Sequence, residues 1–235
     1  MSSSDRPTVI VNVAMSVDGK IDTAARLGAA ISSPADKARV DELRAAVDAV
    51  LVGGRTLIEE DPRLTVKSPE LRRRRLAAGC PENPAKVGVV SVADLKPDGA
   101  FLNAGPARRL LFTTGRTSRE LIERLELSGA EVFVAGGSAV DLEGMLHSLF
   151  ELGIRSILVE GGGTTIASFF QLDLVDELYT YVAARIFAGS AAPTLADGTG
   201  FPLEMAPRLE LLAAAPFDQE GGVLLHYRVH HNQRS

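Results

Sequence analysis

Short apolar, β-branched runs that end in glycine, separated by stretches of helical period, constrain this chain more than any other feature. Thr8-Val-Ile-Val-Asn-Val-Ala-Met15 is a nearly continuous run of the kind buried on both faces of a sheet. Ser33-Pro34 then offers an N-cap followed by proline at the first helical position, and Ala38, Val40, Leu43 and Val47 recur near helical spacing, which predicts a helix over 34–47. Ala49-Val-Leu-Val52 is a second buried strand and stops at Gly53-Gly54. Strand, helix and strand in that order require a crossover and a parallel pair. Similar runs at 87–90, 110–113, 132–134 and 157–159, with helical stretches near 118–127 and 141–152, extend the sheet. A run at 175–182 adds a strand, and 208–215 and 223–229 flank Pro216-Phe-Asp-Gln-Glu-Gly-Gly222 as an antiparallel hairpin. The fold class is therefore α/β, with a mixed, mostly parallel sheet and a C-terminal antiparallel hairpin.

The 235 residues are read as a single domain over 1–235, with an N-terminal tail at 1–7 and a surface excursion at 68–86. That excursion carries Pro69, Arg72-Arg-Arg-Arg75, Gly79, Pro81 and Pro84 and no sustained apolar period. Hydrophobic residues at 46% and charged residues at 23% exclude a disordered or fibrous class. A net charge of −5 argues against nucleic-acid binding, so the arginine run reads as a solvated face. The single cysteine, Cys80, excludes an intrachain disulfide and a thiolate cluster and fits a reducing compartment. The first residues lack the apolar core of a secretory signal, and no apolar run approaches the ~20 residues a membrane span requires. These features predict a cytoplasmic protein without membrane or nucleic-acid partners. His226, His230 and His231 lie on or after the last strand with no carboxylate at ligand spacing, and His147 sits on a solvent-facing helix surface, so no metal is predicted.

Chemistry points to the strand ends. Ser156-Ile-Leu-Val-Glu-Gly-Gly-Gly-Thr-Thr-Ile-Ala167 is a buried strand running through three glycines into a helix, with Thr164 or Thr165 as the cap. Such a turn offers backbone N–H groups and a helix dipole to a phosphate or pyrophosphate, although a glycine turn needed only for tight packing explains the same letters. Neither G-x-G-x-x-G nor a Walker-type motif is present. Glu160 stands at the carboxyl end of that strand, where open α/β sheets bind ligands. Asp18, in Met15-Ser-Val-Asp-Gly-Lys20, stands at a similar end, with an ordinary Asp-Gly turn as its competing reading. A third glycine-bearing end, Val50-Leu-Val-Gly-Gly-Arg-Thr56, precedes Glu59-Glu-Asp-Pro-Arg-Leu-Thr-Val-Lys67, in which Arg63 or Lys67 suits an anion.

Taken in order, Asn12-Val-Ala-Met-Ser-Val-Asp-Gly-Lys20, Leu43-Arg-Ala-Ala-Val-Asp-Ala-Val-Leu-Val-Gly-Gly-Arg-Thr56, Asp61-Pro-Arg-Leu-Thr-Val66 and Leu158-Val-Glu-Gly-Gly-Gly163 resemble the pyrimidine reductases of riboflavin biosynthesis. The resemblance runs from about Val9 to Val229. It implies a dihydrofolate-reductase-like, three-layer α/β/α fold, a homodimer, and reduction of a phosphoribosylamino-pyrimidine by NADPH, with NADH as the alternative cofactor. The ribose opens to an imine, hydride reaches C1′ and a proton reaches nitrogen. By position the resemblance places Gly53, Thr56, Glu60 or Asp61, Ser91, Val134, Gly161, Gly162, Gly163 and Thr164 on the cofactor side. It places Asn12, Ser16, Ser32 or Ser33, Arg44, Leu64, Thr65 and Lys67 on the substrate side, with Arg44 and Lys67 as phosphate partners. Asp18 and Glu160, also on that side, are the two catalytic carboxylates able to hold ribityl hydroxyls or manage the proton.

The family acts on two substrates, an aminouracil after deamination or a 2,5-diamino-pyrimidinone before it. The chain has no deaminase signature, and Asn12 stands where fused deaminase–reductases typically carry Lys. The resemblance thus favours the diamino-pyrimidinone. Arg63 replaces a common Ser and Lys67 a common Arg, which alters the phosphate geometry the family would otherwise imply. The competing functions are the aminouracil reductase, a dihydrofolate or pteridine reductase, and a non-catalytic nucleotide-binding protein.

Overall fold

A computed structural model describes residues 5–231; the first four residues of the expected N-terminal tail lie outside the described residues. The described residues fold into two compact units, each discontinuous in sequence: one holds Asp41–Leu158 with residues 5–8, the other Val9–Val40 and residues 159–231. The α/β expectation is met, with a mixed, mostly parallel sheet and an antiparallel C-terminal hairpin.

In the first unit the strands β2 (Ala49–Gly53), β3 (Ala85–Val89), β4 (Arg109–Thr113), β5 (Glu131–Val134) and β6 (Ser156–Val159) are ordered β5-β4-β3-β2-β6. β2, β3, β4 and β5 pair in parallel, and the register Gly53↔Val89, Val89↔Phe112 and Thr113↔Val134 brings their carboxyl ends to one edge. β2 is buried throughout, as its unbroken Ala-Val-Leu-Val run demands. Asp48 pins the opposite end: its Oδ2 accepts from Ser156 N and Ser156 Oγ, both at 3.0 Å, and from Arg155 N at 2.9 Å. Leu57, Phe101, Leu110, Leu125 and Met145 fill the core of this unit. Helices α4 (Arg119–Leu127) and α5 (Leu142–Glu151) begin at Ser118 and Asp141, whose side chains accept from Leu121 N and Gly144 N.

The excursion at 68–86 is not irregular. It carries helix α2 (Pro69–Ala77), opened by Ser68 as N-cap and Pro69 at the first position. The sequence hid this helix because only Leu71 and Arg75 are buried along it. The solvated reading of the arginine run holds for its exposed members and fails at Arg75, which is 6% exposed. Its guanidinium donates to Ala45 O and Val47 O, each at 2.8 Å, and to Pro81 O at 2.8 Å. An apolar period cannot reveal a buried position whose side chain is charged. Lys86 on β3 is a second such residue: fully buried, it donates to Ala104 O at 2.6 Å and Phe101 O at 2.9 Å, at the end of α3 (Ala100–Asn103). Burial, and then Arg109, push its ammonium down to about 8.

In the second unit the order is β1-β7-β9-β8, from β1 (Thr8–Ser16), β7 (Glu177–Ala183), β9 (Val223–His230) and β8 (Arg208–Pro216). β1 and β7 are parallel, whereas β7 with β9 and β9 with β8 are antiparallel. Helix α1 (Pro34–Ala46), of which the residues up to Val40 belong to this unit and those from Asp41 to the first, starts where Ser33-Pro34 placed it, with Asp36 N donating to Ser33 Oγ at 3.1 Å. Helix α6 (Gly163–Gln171) buries Ile166, Ala167 and Phe169. Every residue of β8 is exposed.

Arg75→Met is expected to lower the unfolding free energy by about 2–4 kcal/mol, because the three carbonyls lose a charged donor in a partly dry site. Urea denaturation measures this; a loss below about 0.5 kcal/mol would show that water takes over those carbonyls.

Candidate active site

The first unit assembles the Gly53, Ser91 and Val134 positions at the carboxyl ends of its parallel strands, the edge where α/β sheets take ligands. Gly53 is buried at the end of β2, and Thr56 opens a π-helical turn, Thr56–Glu60. Ser91 lies just beyond β3, its carbonyl accepting from Thr114 Oγ1 at 2.7 Å, and Val134 is an exposed apolar side chain ending β5. Glu60 is exposed at the end of the π-helical turn. Asp61 has a different occupation. Its carboxylate accepts from Ala100 N at 2.6 Å and Phe101 N at 2.8 Å, so both oxygens are spent holding α3. A Cβ on Gly99 would come within 2.9 Å of either oxygen, which explains that glycine.

Further along, Leu64 and Val66 are buried while Arg63 and Lys67 are exposed and Thr65 is half-buried. This alternation turns the polar members outward along one short stretch. Arg44, on the last turn of α1, donates from Nη1 to Thr65 O at 3.2 Å. Three cationic side chains therefore belong to this stretch and to the helix that holds it, a fitting environment for an anion.

The second unit carries the remaining candidates. Asn12 is buried on β1, and its Oδ1 accepts from Arg39 Nη2 at 2.7 Å. Since arginine only donates, the amide is oriented with Nδ2 as its remaining hydrogen-bonding group. The same guanidinium donates to Asp36 Oδ1 through Nε at 2.9 Å and Nη2 at 2.7 Å. Asp36 Oδ2 and Arg39 Nη1 are buried without a hydrogen-bond partner among the described residues, so this corner retains polar capacity. Tyr179, paired with Asn12 across β1 and β7, stacks on His226 at 3.9 Å, and His226 Nε2 meets Glu177 Oε2 at 2.9 Å. Desolvation and the adjacent Glu177 carboxylate raise the Tyr179 phenol above its ordinary range. Arg39, Asp36 and Tyr179 escaped the sequence reading; the Asp36/Arg39 spacing of three was its one available signal.

Ser16, Ser33 and Asp18 prove to be internally engaged. Ser16 Oγ donates to Asp18 Oδ1 at 2.6 Å and accepts from Lys20 N at 3.0 Å. Ser33 Oγ donates to Asp218 Oδ2 at 2.5 Å, and Tyr181 OH donates to the same oxygen at 2.7 Å. Asp18 also accepts from Phe187 N at 3.1 Å and Ala188 N at 2.7 Å. The Ser16 hydroxyl, with help from those two amides, lowers the Asp18 carboxyl to about 2.

The glycine turn after β6 takes a form that neither simple reading gives alone. Gly162 is the N-cap of α6 and makes no side-chain cap hydrogen bond, so Thr164, which is exposed, and Thr165 lie inside the helix rather than capping it. Gly161 has φ 146°, a backbone region that favours glycine. A Cβ on Gly163 would stand 2.4 Å from Thr194 O, so that glycine is dictated by packing. The packing explanation thus covers Gly163, while the uncapped helix start suits a pyrophosphate. Glu160 is half-buried immediately before the turn.

Among the described residues no three His, Cys, Asp or Glu side chains gather as a metal site, and no helix is long and apolar enough to cross a membrane.

The chain is matched over residues 7–220 by the family described as the RibD C-terminal domain. It is 41% identical over 196 residues to a protein of Archaeoglobus fulgidus named 2,5-diamino-6-ribosylamino-4(3H)-pyrimidinone 5′-phosphate reductase, covering 83% of this chain and 89% of that one. A protein of the same name from Methanothermobacter thermautotrophicus is 37% identical over 224 residues, 95% and 99% of the two chains. Among solved structures, a pyrimidine reductase-like protein of Corynebacterium diphtheriae superposes with TM-score 0.83 at 20% identity, covering 97% of this chain and 94% of that one. The RibD protein of Acinetobacter baumannii gives 0.78 at 23% identity, over 97% of this chain but only 59% of that longer one. At these identities the structures speak for the fold.

Carboxyl-resolved NMR titration is expected to show Asp18 ionised down to about pH 2, with the Phe187 and Ala188 amides shifting in the same step. Because the folded value lies below 3.8, the carboxylate's stabilising contribution is present above pH 3.8 and is lost as pH falls through about 2. An Asp18 midpoint near the ordinary aspartate value, or amides indifferent to it, would contradict the tether.

Proposed function

Because the chain belongs to the RibD C-terminal domain family, we propose that it reduces 2,5-diamino-6-(5-phosphoribosylamino)pyrimidin-4(3H)-one to its ribitylamino product in riboflavin biosynthesis, with NADPH as reductant. The observation that carries this reading is the identity of 37% and 41%, over most of both chains, to reductases named for that substrate class. As a nicotinamide dinucleotide, the cofactor supplies hydride to C1′ of the opened sugar. The family resemblance assigns it Gly53, Thr56, Glu60, Ser91 and Val134, together with Gly161, Gly162, Gly163 and Thr164. The uncapped start of α6 and the exposed Val134 at a strand's carboxyl end support that assignment, as each suits one part of a dinucleotide. Asp61 is the weakest member, since its oxygens already serve α3.

Substrate roles fall by the same resemblance to Asn12, Glu160, Arg44, Thr65 and Lys67, the last three at the 5′-phosphate. Leu64, buried with φ 51°, offers backbone rather than side chain. Reduction of the imine consumes a proton at nitrogen. A carboxyl ionised down to about pH 2 is a poor carrier of that proton, so Asp18 positions the segment through Phe187 and Ala188, with Ser16 and Ser33 buttressing the same unit. Glu160 is left as the carboxylate that handles it.

The proposed assembly is a homodimer formed along β8, an edge strand exposed at every residue and carrying Leu209, Leu211 and Leu212. An uncovered apolar edge of that length invites strand pairing with a second copy.

Purified protein is expected to oxidise NADPH with the diamino-pyrimidinone and more slowly with the aminouracil, and to ignore dihydrofolate. Glu160→Gln should lower kcat by about 10²-fold with NADPH affinity kept, as loss of a general acid–base predicts. No oxidation with either pyrimidine despite NADPH binding would instead favour a nucleotide-binding protein. Leu211→Lys should shift the mass in light scattering from dimer to monomer; a wild-type monomer would end the dimer reading.

A further inference from the structure

Residues 65–68 lie outside every strand and helix, yet six of their eight backbone N–H and C=O groups are taken by side chains. Thr65 O accepts from Arg44, and Val66 N donates to Asn83 Oδ1 at 2.9 Å. Val66 O and Lys67 O both accept from Arg72 Nη1 at 3.1 Å. Lys67 N and Ser68 N donate to the two oxygens of Asp41, at 2.6 and 2.7 Å. Asp41 is 6% exposed and Asn83 3%, so these are buried, committed groups, not surface pairings.

Such an arrangement costs side-chain entropy and burial of polar groups, and a loop that served only as a connection would leave its backbone to water. What the clamps hold in place is the outward set, Thr65 and Lys67. We propose that Asp41, Arg72 and Asn83 are positioning residues that hold this stretch as a preformed cradle for the substrate's 5′-phosphate, and that the 68–86 excursion exists to supply two of them. The inference rests on the assignment of Lys67 to that phosphate. Asp41 and Arg44 lie one turn apart on α1, so a single helix face grips the stretch by both its N–H and its C=O groups. Lysine makes this rigidity consequential. Its ammonium is a point charge on a flexible stem, and only a fixed Cα limits where that charge can go.

The test is steady-state kinetics on Asp41→Asn and Arg72→Met, with the substrate carrying or lacking its 5′-phosphate, and with Lys67→Ala alongside. Arg72 is part-exposed, so its removal leaves carbonyls that water can reach and a folded protein. Both variants are expected to raise KM for the phosphorylated substrate about tenfold, a factor set by one weakened charge-assisted contact. kcat at saturation, NADPH affinity and KM for the dephosphorylated substrate should stay near wild type. A merely structural role would move both substrates together, and that outcome overturns the inference, as does an unchanged KM in both folded variants. If Lys67→Ala leaves the phosphate preference intact, the assignment of Lys67 fails and the inference with it. If Lys67→Ala abolishes the preference while the other two do not, only the positioning role falls.

Discussion

Backbone groups that leave regular structure must still find hydrogen-bond partners, and in this protein aspartates meet that demand. Asp41, Asp48, Asp61, Asp18 and Asp218 each accept two or more backbone N–H groups or hydroxyls from segments distant in sequence. A short carboxylate with two acceptor oxygens suits this role, since it bridges consecutive amides without a long side chain to immobilise. The acid excess that composition reports as a net charge of −5 is thus partly internal scaffolding. It follows that the loops carrying candidate site residues owe their shapes to carboxylate acceptors. Asp18 and Asp218, both held near 2, keep their own charges throughout the physiological range.

The parallel strands set the second condition. In the first unit their register lines up four carboxyl ends, and the residues just beyond them are the ones placed to meet a ligand. Glycine belongs at strand ends for two separate reasons. Gly161 supplies a backbone angle, whereas Gly163 supplies space against Thr194 O. Identical letters in one triplet therefore carry different constraints, and substitution should distinguish strain at the first from collision at the other.

Much of this fold was legible in the sequence because its strands are continuous apolar runs. Ala49-Val-Leu-Val52 and Ser33-Pro34 state their roles in adjacent letters, and the observed elements begin within a residue or two of them. The glycine-rich strand ends and the ordered motifs also located the family. What stayed hidden shares a physical origin: each missed feature is a polar side chain buried by partners far away in sequence. Arg75 belongs to a run that looks solvated, and only the carbonyls of Ala45, Val47 and Pro81 bury it. Lys86 interrupts no period visibly, since a lysine at a strand start reads as an edge residue. Asp41 and Asn83 stand on opposite sides of helix α2 in sequence and meet on one short stretch. Conversely, Asp61 and Ser33 stand at positions the resemblance marks for cofactor and substrate but spend polar atoms inside the protein, because sequence position cannot show that a group is already occupied.

Asp18 shows how the partners of a carboxylate bear on its role. Asp18 and Glu160 are alike in charge and in their place after a strand, and the sequence offered no choice between them. Three donors converge on Asp18: the Ser16 hydroxyl and the amides of Phe187 and Ala188. Every one of them favours the anion, so protonation would break a set of bonds and loosen the segment they hold. A group in that position is suited to geometry, not to proton traffic. In the proposed reaction the proton therefore falls to Glu160, while Asp18 keeps the Phe187 and Ala188 segment in place.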